Sequence, residues 1–214
     1  MKKPYGVHRG KDFIVLPLIF VFLTILVLYV TFAPIITPYT ALASLLFGQT
    51  AAAPTDRFQG LSEDLAQSGT VQLTEYPVTG DKIGQIDLQD TSLSVPLYYG
   101  DGNAELNKGA GLYTGAWLPG DGRTIMAAGH AGTFFKNLQG VEPGMKVQIT
   151  TYYGVYVYEI TKVEILEATD TSAYDFSRTD ENLIMYTCYP FDALGYTPLR
   201  YFVYAKYVSG PVIE

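Results

Sequence analysis

MKVQITTYYGVYVYEITKVEIL, residues 145–166, decides the architecture. On either side of Tyr152-Tyr153-Gly154 the runs are dense in Val, Ile, Tyr and Thr, side chains suited to a pleated, half-buried surface. The pattern predicts a long hairpin with strands over 145–151 and 155–166. Working outward, further short apolar runs start at Ile83 and are separated by turn clusters such as Gly100-Asp101-Gly102-Asn103 and Leu118-Pro119-Gly120-Asp121-Gly122. The helical candidates, 104–108 and 133–138, are short, so the strand and helix alternation of a doubly wound parallel sheet is missing. A mainly β domain is expected, a closed or nearly closed barrel of about eight strands whose interior is filled by side chains. A reactive site must then lie on its outer wall or rim.

Upstream of this body the composition changes. Residues 13–33, FIVLPLIFVFLTILVLYVTFA, carry no charge and as a helix would rise about 30 Å, the thickness of a bilayer core. Lys2, Lys3, Arg9 and Lys11 precede the run and nothing charged follows until Asp56. The bias of basic residues toward the cytoplasm places 1–12 inside the cell and the main body outside. A cleaved export signal is the alternative, with Ala41-Leu42-Ala43 as a small-residue cleavage site, but the run is longer than the usual signal core. Pro34 and Pro38 end the helix, and 34–78 reads as an extracellular spacer ahead of a catalytic domain over 79–214.

The chain has 214 residues and a net charge of −7, and its basic N-terminal tail leaves the exported body more acidic than the total. An acidic body without basic clusters excludes nucleic acid as a partner, because cationic contacts to phosphates supply most of that affinity. Cys188 is the only cysteine, which excludes zinc-finger and iron–sulfur sites built on several thiolates. One exported histidine and scattered carboxylates are too few for a catalytic zinc. The acidic side chains have no calcium-ligand spacing, so no cofactor is assigned and a structural calcium is left open.

Only two histidines occur, and His8 belongs to the tail. His130, the sole imidazole of the body, stands in Gly129-His130-Ala131-Gly132, a glycine-flanked turn after the apolar run Met126-Ala127-Ala128. Cys188 closes the strand Leu183-Ile184-Met185-Tyr186-Thr187-Cys188, which Pro190 stops, and period-two geometry sets Ile184, Tyr186 and Cys188 on one face. A lone cysteine is commonly a small buried hydrophobe. An unpaired thiol outside the cell, however, points to a reactive role, and a nucleophilic thiol needs an imidazole or cation beside it. Arg200 opens the aromatic strand Leu199-Arg200-Tyr201-Phe202-Val203-Tyr204, where a charge breaks the pattern. It is either a snorkelling side chain or a donor to an oxyanion. Two antiparallel strands joined through Gly195 and Pro198 would bring Arg200 and Cys188 to the same end of the sheet.

Taken in order, Gly115–Gly120 (GAWLPG), Ala128-Gly129-His130 with Thr133-Phe134-Phe135, Thr187-Cys188-Tyr189-Pro190-Phe191 and Pro198-Leu199-Arg200-Tyr201 resemble the sortases, cysteine transpeptidases of Gram-positive cell surfaces. The resemblance covers about 80–208, and the Thr-Cys-Tyr-Pro-Phe run is most similar to the class D branch. It implies an eight-stranded sortase-type barrel with short helices and puts His130, Cys188 and Arg200 on the family's catalytic positions. The chain departs from the family at Ala131-Gly132, where many members have Arg-Asp, and at Met185, where Leu is common. The lid and C-terminal apolar span of pilus-building members are not found.

The activity implied is cleavage of a Leu-Pro-x-Thr-Gly-like sorting signal and transfer of the Thr carbonyl to an amine of the cell wall or of another surface protein. The implied partners are surface proteins with a C-terminal sorting signal, a peptidoglycan precursor or other amine acceptor, and the membrane through the N-terminal helix. A cysteine endopeptidase that hydrolyses the same signal, and an anchored β-module with an inert thiol, are the competing readings.

Overall fold

A computed structural model describes residues 15, 17–31, 65–193 and 195–214. The chain divides into two compact units, 1–49 and 50–214. In the first unit, the described residues 15 and 17–31 are helical (α1), their side chains are exposed, and the hydroxyls of Thr24 and Thr31 donate back to the carbonyls of Phe20 and Val27 at 2.8 Å. Among the described residues no helix is both long and apolar enough to cross a membrane. The ends of the 13–33 span, the tail 1–12 and most of the 34–78 spacer lie outside the described residues.

The second unit is mainly β. Its strands are β1 (Thr70–Val71), β2 (Lys82–Leu88), β3 (Ser94–Tyr99), β4 (Ala110–Leu112), β5 (Thr124–Ala128), β6 (Lys146–Thr151), β7 (Val155–Glu167), β8 (Asn182–Tyr189), β9 (Leu199–Ser209) and β10 (Val212–Ile213). The eight strands β2 to β9 close a barrel in the order β2-β3-β4-β5-β8-β9-β7-β6. Among the described residues of this unit, helix is confined to α2 (Asn103–Leu106) and short 3-10 turns at Lys136–Leu138 and Thr171–Ala173.

The hairpin that opened the reading is β6–β7, paired Thr150 to Val155, Ile149 to Tyr156 and Val147 to Tyr158. Val147, Ile149, Tyr156, Tyr158 and Ile160 are buried at alternate positions, as a half-buried ribbon requires. They join Ile83, Ile86, Leu97, Leu112, Ile125, Leu183 and Met185 in the barrel core. A side chain of this size withdrawn from water contributes about 1.5–3 kcal/mol, so the interior is a packed core and leaves chemistry to the outside.

Beyond this, the structure adds a small parallel clasp. Thr70 and Val71 of β1 pair with Val212 and Ile213 of β10, and the Val155 N–H donates to the Ala66 carbonyl at 2.9 Å. The end of the stretch read as spacer is thus held on the domain. No local pattern announced it, because a two-residue strand has no periodicity to read.

Candidate active site

The outer wall of β8 and β9 carries Cys188 and Arg200, and His130 follows the end of the neighbouring β5. Cys188 and Arg200 are direct antiparallel partners, so their side chains leave the sheet on the same face. The strand runs one residue beyond the expected end at Cys188, to Tyr189. On the other flank β5 runs parallel to β8, with Met126 level with Ile184 and Ala128 level with Tyr186. β5 ends at Ala128, and the hydrogen bonds of Gly129 to β8 carry the chain on so that His130 follows at the end of β8 where Cys188 lies. All three side chains are partly exposed.

Local packing fixes each of them. The Gly129 N–H donates to the Tyr186 carbonyl at 3.3 Å, and its carbonyl accepts the Thr187 hydroxyl at 2.6 Å. The Phe135 ring presses on Gly129, where an added Cβ would come within 2.6 Å of ring carbon, so only glycine fits. The His130 carbonyl then accepts the N–H of Phe135 at 3.0 Å and of Thr133 at 3.3 Å, closing a turn after the histidine. Burial depresses the His130 imidazole below its ordinary value, so the neutral ring is favoured near neutral pH.

Arg200 is not a loose surface cation. Its Nη1 donates to the Thr197 carbonyl at 2.8 Å, the Leu199 carbonyl at 2.9 Å and Thr197 Oγ1 at 3.3 Å. The rest of the fork has no hydrogen-bond partner among the described residues and can donate to an oxyanion beside Cys188. Cys188 is a free thiol.

The floor and wall of the site were only partly visible in the sequence. Tyr186, on the same face as Cys188, stacks on Phe202 at 5.6 Å, and Phe202 on Tyr204 at 6.1 Å. Burial, then the Asp101 carboxylate, push the Tyr186 phenol up to about 12. The 168–181 loop lies across the lower part of this wall. Thr124 Oγ1 donates to the Asp175 carbonyl at 2.6 Å and accepts from Asn182 Nδ2 at 3.0 Å. Phe176 of the loop meets Tyr174 at 5.0 Å and Tyr113 at 5.7 Å. Tyr186 could have been found from the period-two pattern. Asp101 could not, because it reads as an ordinary turn residue. Among the described residues no three His, Cys, Asp or Glu side chains gather in a way that could hold a metal.

A sortase-domain family model matches residues 86–208, more than half of the chain. The chain belongs to the sortase family. Sortase D of Bacillus subtilis (strain 168) is 33% identical over 133 residues, covering 62% of this chain and 67% of that protein, in keeping with the class D resemblance of the Thr187–Phe191 run. Among solved structures, a sortase D5 transpeptidase of Clostridium perfringens superposes with a TM-score of 0.56 at 23% identity, covering 62% of this chain and 82% of that one. A Clostridium perfringens sortase C, solved with the C-terminal cell wall sorting motif, superposes with a TM-score of 0.56 at 20% identity, covering 61% and 72%. At these identities the structures establish the shared fold, and this sortase is a cysteine transpeptidase by its family.

Proposed function

We propose that this sortase is held in the cell membrane by a single N-terminal span, with its catalytic domain outside. There it cleaves a Leu-Pro-x-Thr-Gly-like signal of surface proteins and joins the Thr carbonyl to an amine. The acceptor amine belongs to a peptidoglycan precursor or to a second surface protein. The observation that carries the reading is the pairing of Cys188 with Arg200, with His130 following Gly129, which is hydrogen-bonded to Tyr186 and Thr187 of the same strand.

Cys188 thiolate attacks the Thr carbonyl, and the Arg200 fork donates to the oxyanion that forms. Neutral His130 takes the Cys188 thiol proton to form that thiolate, and the imidazolium so formed protonates the departing amine, leaving a thioester on Cys188. An incoming amine attacks the thioester, loses its proton to neutral His130, and expels the thiolate. One amide is exchanged for another, so the bond energy is conserved in the thioester and no nucleotide is consumed. The choice of signal rests on the resemblance of the Thr187–Phe191 run to the class D branch.

The anchor reading is supported by four basic residues ahead of the apolar run and by a helix whose two threonine hydroxyls are satisfied by their own backbone. Alkaline washing of membranes would leave an anchored chain in the pellet and release a cleaved one. For the chemistry, the full-length protein is incubated with a labelled sorting peptide and an amine. Amide product rising with amine concentration supports transpeptidation, and hydrolysis alone at saturating amine supports the endopeptidase. Alkylation of Cys188 by a vinyl sulfone no faster than a free thiol would make it an inert module.

A further inference from the structure

The turn between β3 and α2 brings Asp101, a carboxylate that the acyl exchange does not use, to the outer wall, with the buried Glu105 of α2 beside it. A Cβ on Gly111 would come within 2.9 Å of the Asp101 Cα, so the turn lies directly over β4. Gly111 pairs with Ala128, and Ala128 with Tyr186. Asp101 therefore stands on the outer wall about two strand spacings, roughly 10 Å, from β8, level with Tyr186 and one pleat repeat from Cys188.

Behind it, Glu105 is only 7% exposed. Its side chain folds back onto the same turn: a Cβ on Gly102 would lie 2.9 Å from Oε2, and a Cβ on Gly100 3.4 Å from its carboxyl carbon. Among the described residues Glu105 has no side-chain hydrogen bond or ion pair, and Asp101 has no ion pair. Among the described residues neither Arg200 nor Lys108 forms an ion pair with either carboxylate. Arg200 Nη1 is held by the Thr197 and Leu199 carbonyls, and the Lys108 ammonium lies 5.7 Å from the Tyr98 ring centre. Burial, and next to it Glu105, raise the Asp101 carboxyl above the ordinary carboxylate range. Two carboxylates drawn partly out of water without a counter-charge are unfavourable unless something cationic arrives.

The geometry points to a cation subsite at Asp101, backed by Glu105, that receives an ammonium or guanidinium group carried by a substrate of the Cys188 centre. It rests on the transpeptidase reading above. The separation from Cys188, about 12 Å in the backbone, corresponds to three or four residues of extended peptide at about 3.3–3.6 Å each, or to a long side chain bridging between those of Asp101 and Cys188. The cation can come from a basic residue of the sorting peptide, or from the second amine of a diamine acceptor, and the test separates these sources.

In the donor arm, peptides with Lys, Gln or Glu at each position flanking the Thr-Gly bond are cleaved by the full-length protein at low salt. In the acceptor arm, 1,5-diaminopentane is compared with 1-aminopentane on a Gln peptide. One arm is expected to show a charge preference of about tenfold in kcat/KM that Asp101→Asn reduces to within about twofold. The preference in the unmodified protein should also fall several-fold between 0.05 and 0.5 M salt, which tests the idea even if the variant folds poorly. Cleavage and transfer indifferent to substrate charge in both arms would overturn the subsite while leaving the transpeptidase reading intact. So would a preference that survives Asp101→Asn unchanged. Failure of the unmodified protein to form thioester with every peptide would instead sink the transpeptidase reading, and the subsite with it.

Discussion

β8 begins and ends in different surroundings. At its start, Glu181 accepts the N–H groups of Gly120 and Gly122 at 3.1–3.2 Å and the Tyr158 hydroxyl at 2.6 Å, while Asn182 bridges to Thr124 and to the Asp180 carbonyl. At its finish, Cys188 is a half-exposed thiol, and Arg200 keeps part of its fork unbonded. One end satisfies its polar groups internally and gains rigidity. The other leaves them for a substrate, at the expense of local stability. A single strand thus couples a stiff base to a reactive rim.

Substitutions should separate the two ends. Cys188→Ala is expected to abolish thioester formation, lowering activity by roughly 10⁴-fold or more, with the melting temperature nearly unchanged. Arg200→Lys, which loses the planar fork, should reduce kcat by about 10²–10³-fold in steady-state assays. Neither should loosen the base. Conversely, Glu181→Ala strands two backbone N–H groups and a buried phenol, and should cost on the order of 2–4 kcal/mol in denaturant unfolding. Activity per folded molecule is expected to stay within about twofold. A large loss of kcat there would erase the contrast between the ends.

Smaller effects sharpen it. Thr124→Val removes the tether to Asp175 and should destabilise by about 1 kcal/mol while raising KM for the peptide, since the 168–181 loop is released. Burial raises the Glu181 carboxyl above its unfolded value near 4.3, so its contribution is full below that value and is lost as pH rises through the folded one. Glu181→Gln should flatten that part of the stability profile. His130 shifts the other way. Its folded value lies below about 6.5, so its contribution is present above that pH and is lost as pH falls through the folded value. An NMR titration should place its midpoint below 6.5, and one at or above that value would contradict a buried imidazole.

The barrel could be read from residues 145–166 because alternation of burial is a property of each strand by itself. The meeting of Cys188 with Arg200 was legible for a similar reason: one short connection between two antiparallel strands leaves few registers. His130 needed more, because it reaches β8 through a parallel pairing of distant segments that no local pattern encodes. Asp101 and Glu105 were hidden for the same cause, since their place on the wall depends on Gly111 letting a turn lie flat against β4. The clasp of β1 with β10 is a contact between remote pieces too short for any pattern.

That clasp also decides how the barrel is hung. It lies beside Gly120, whose carbonyl accepts the Ile213 N–H, and beside the first residue of β7, so the upstream segment meets the domain at the stiff base. A pull applied at Ala66 would load those backbone bonds at the end of the barrel away from the thiol. The nucleophile is left at the unburdened end, facing whatever approaches.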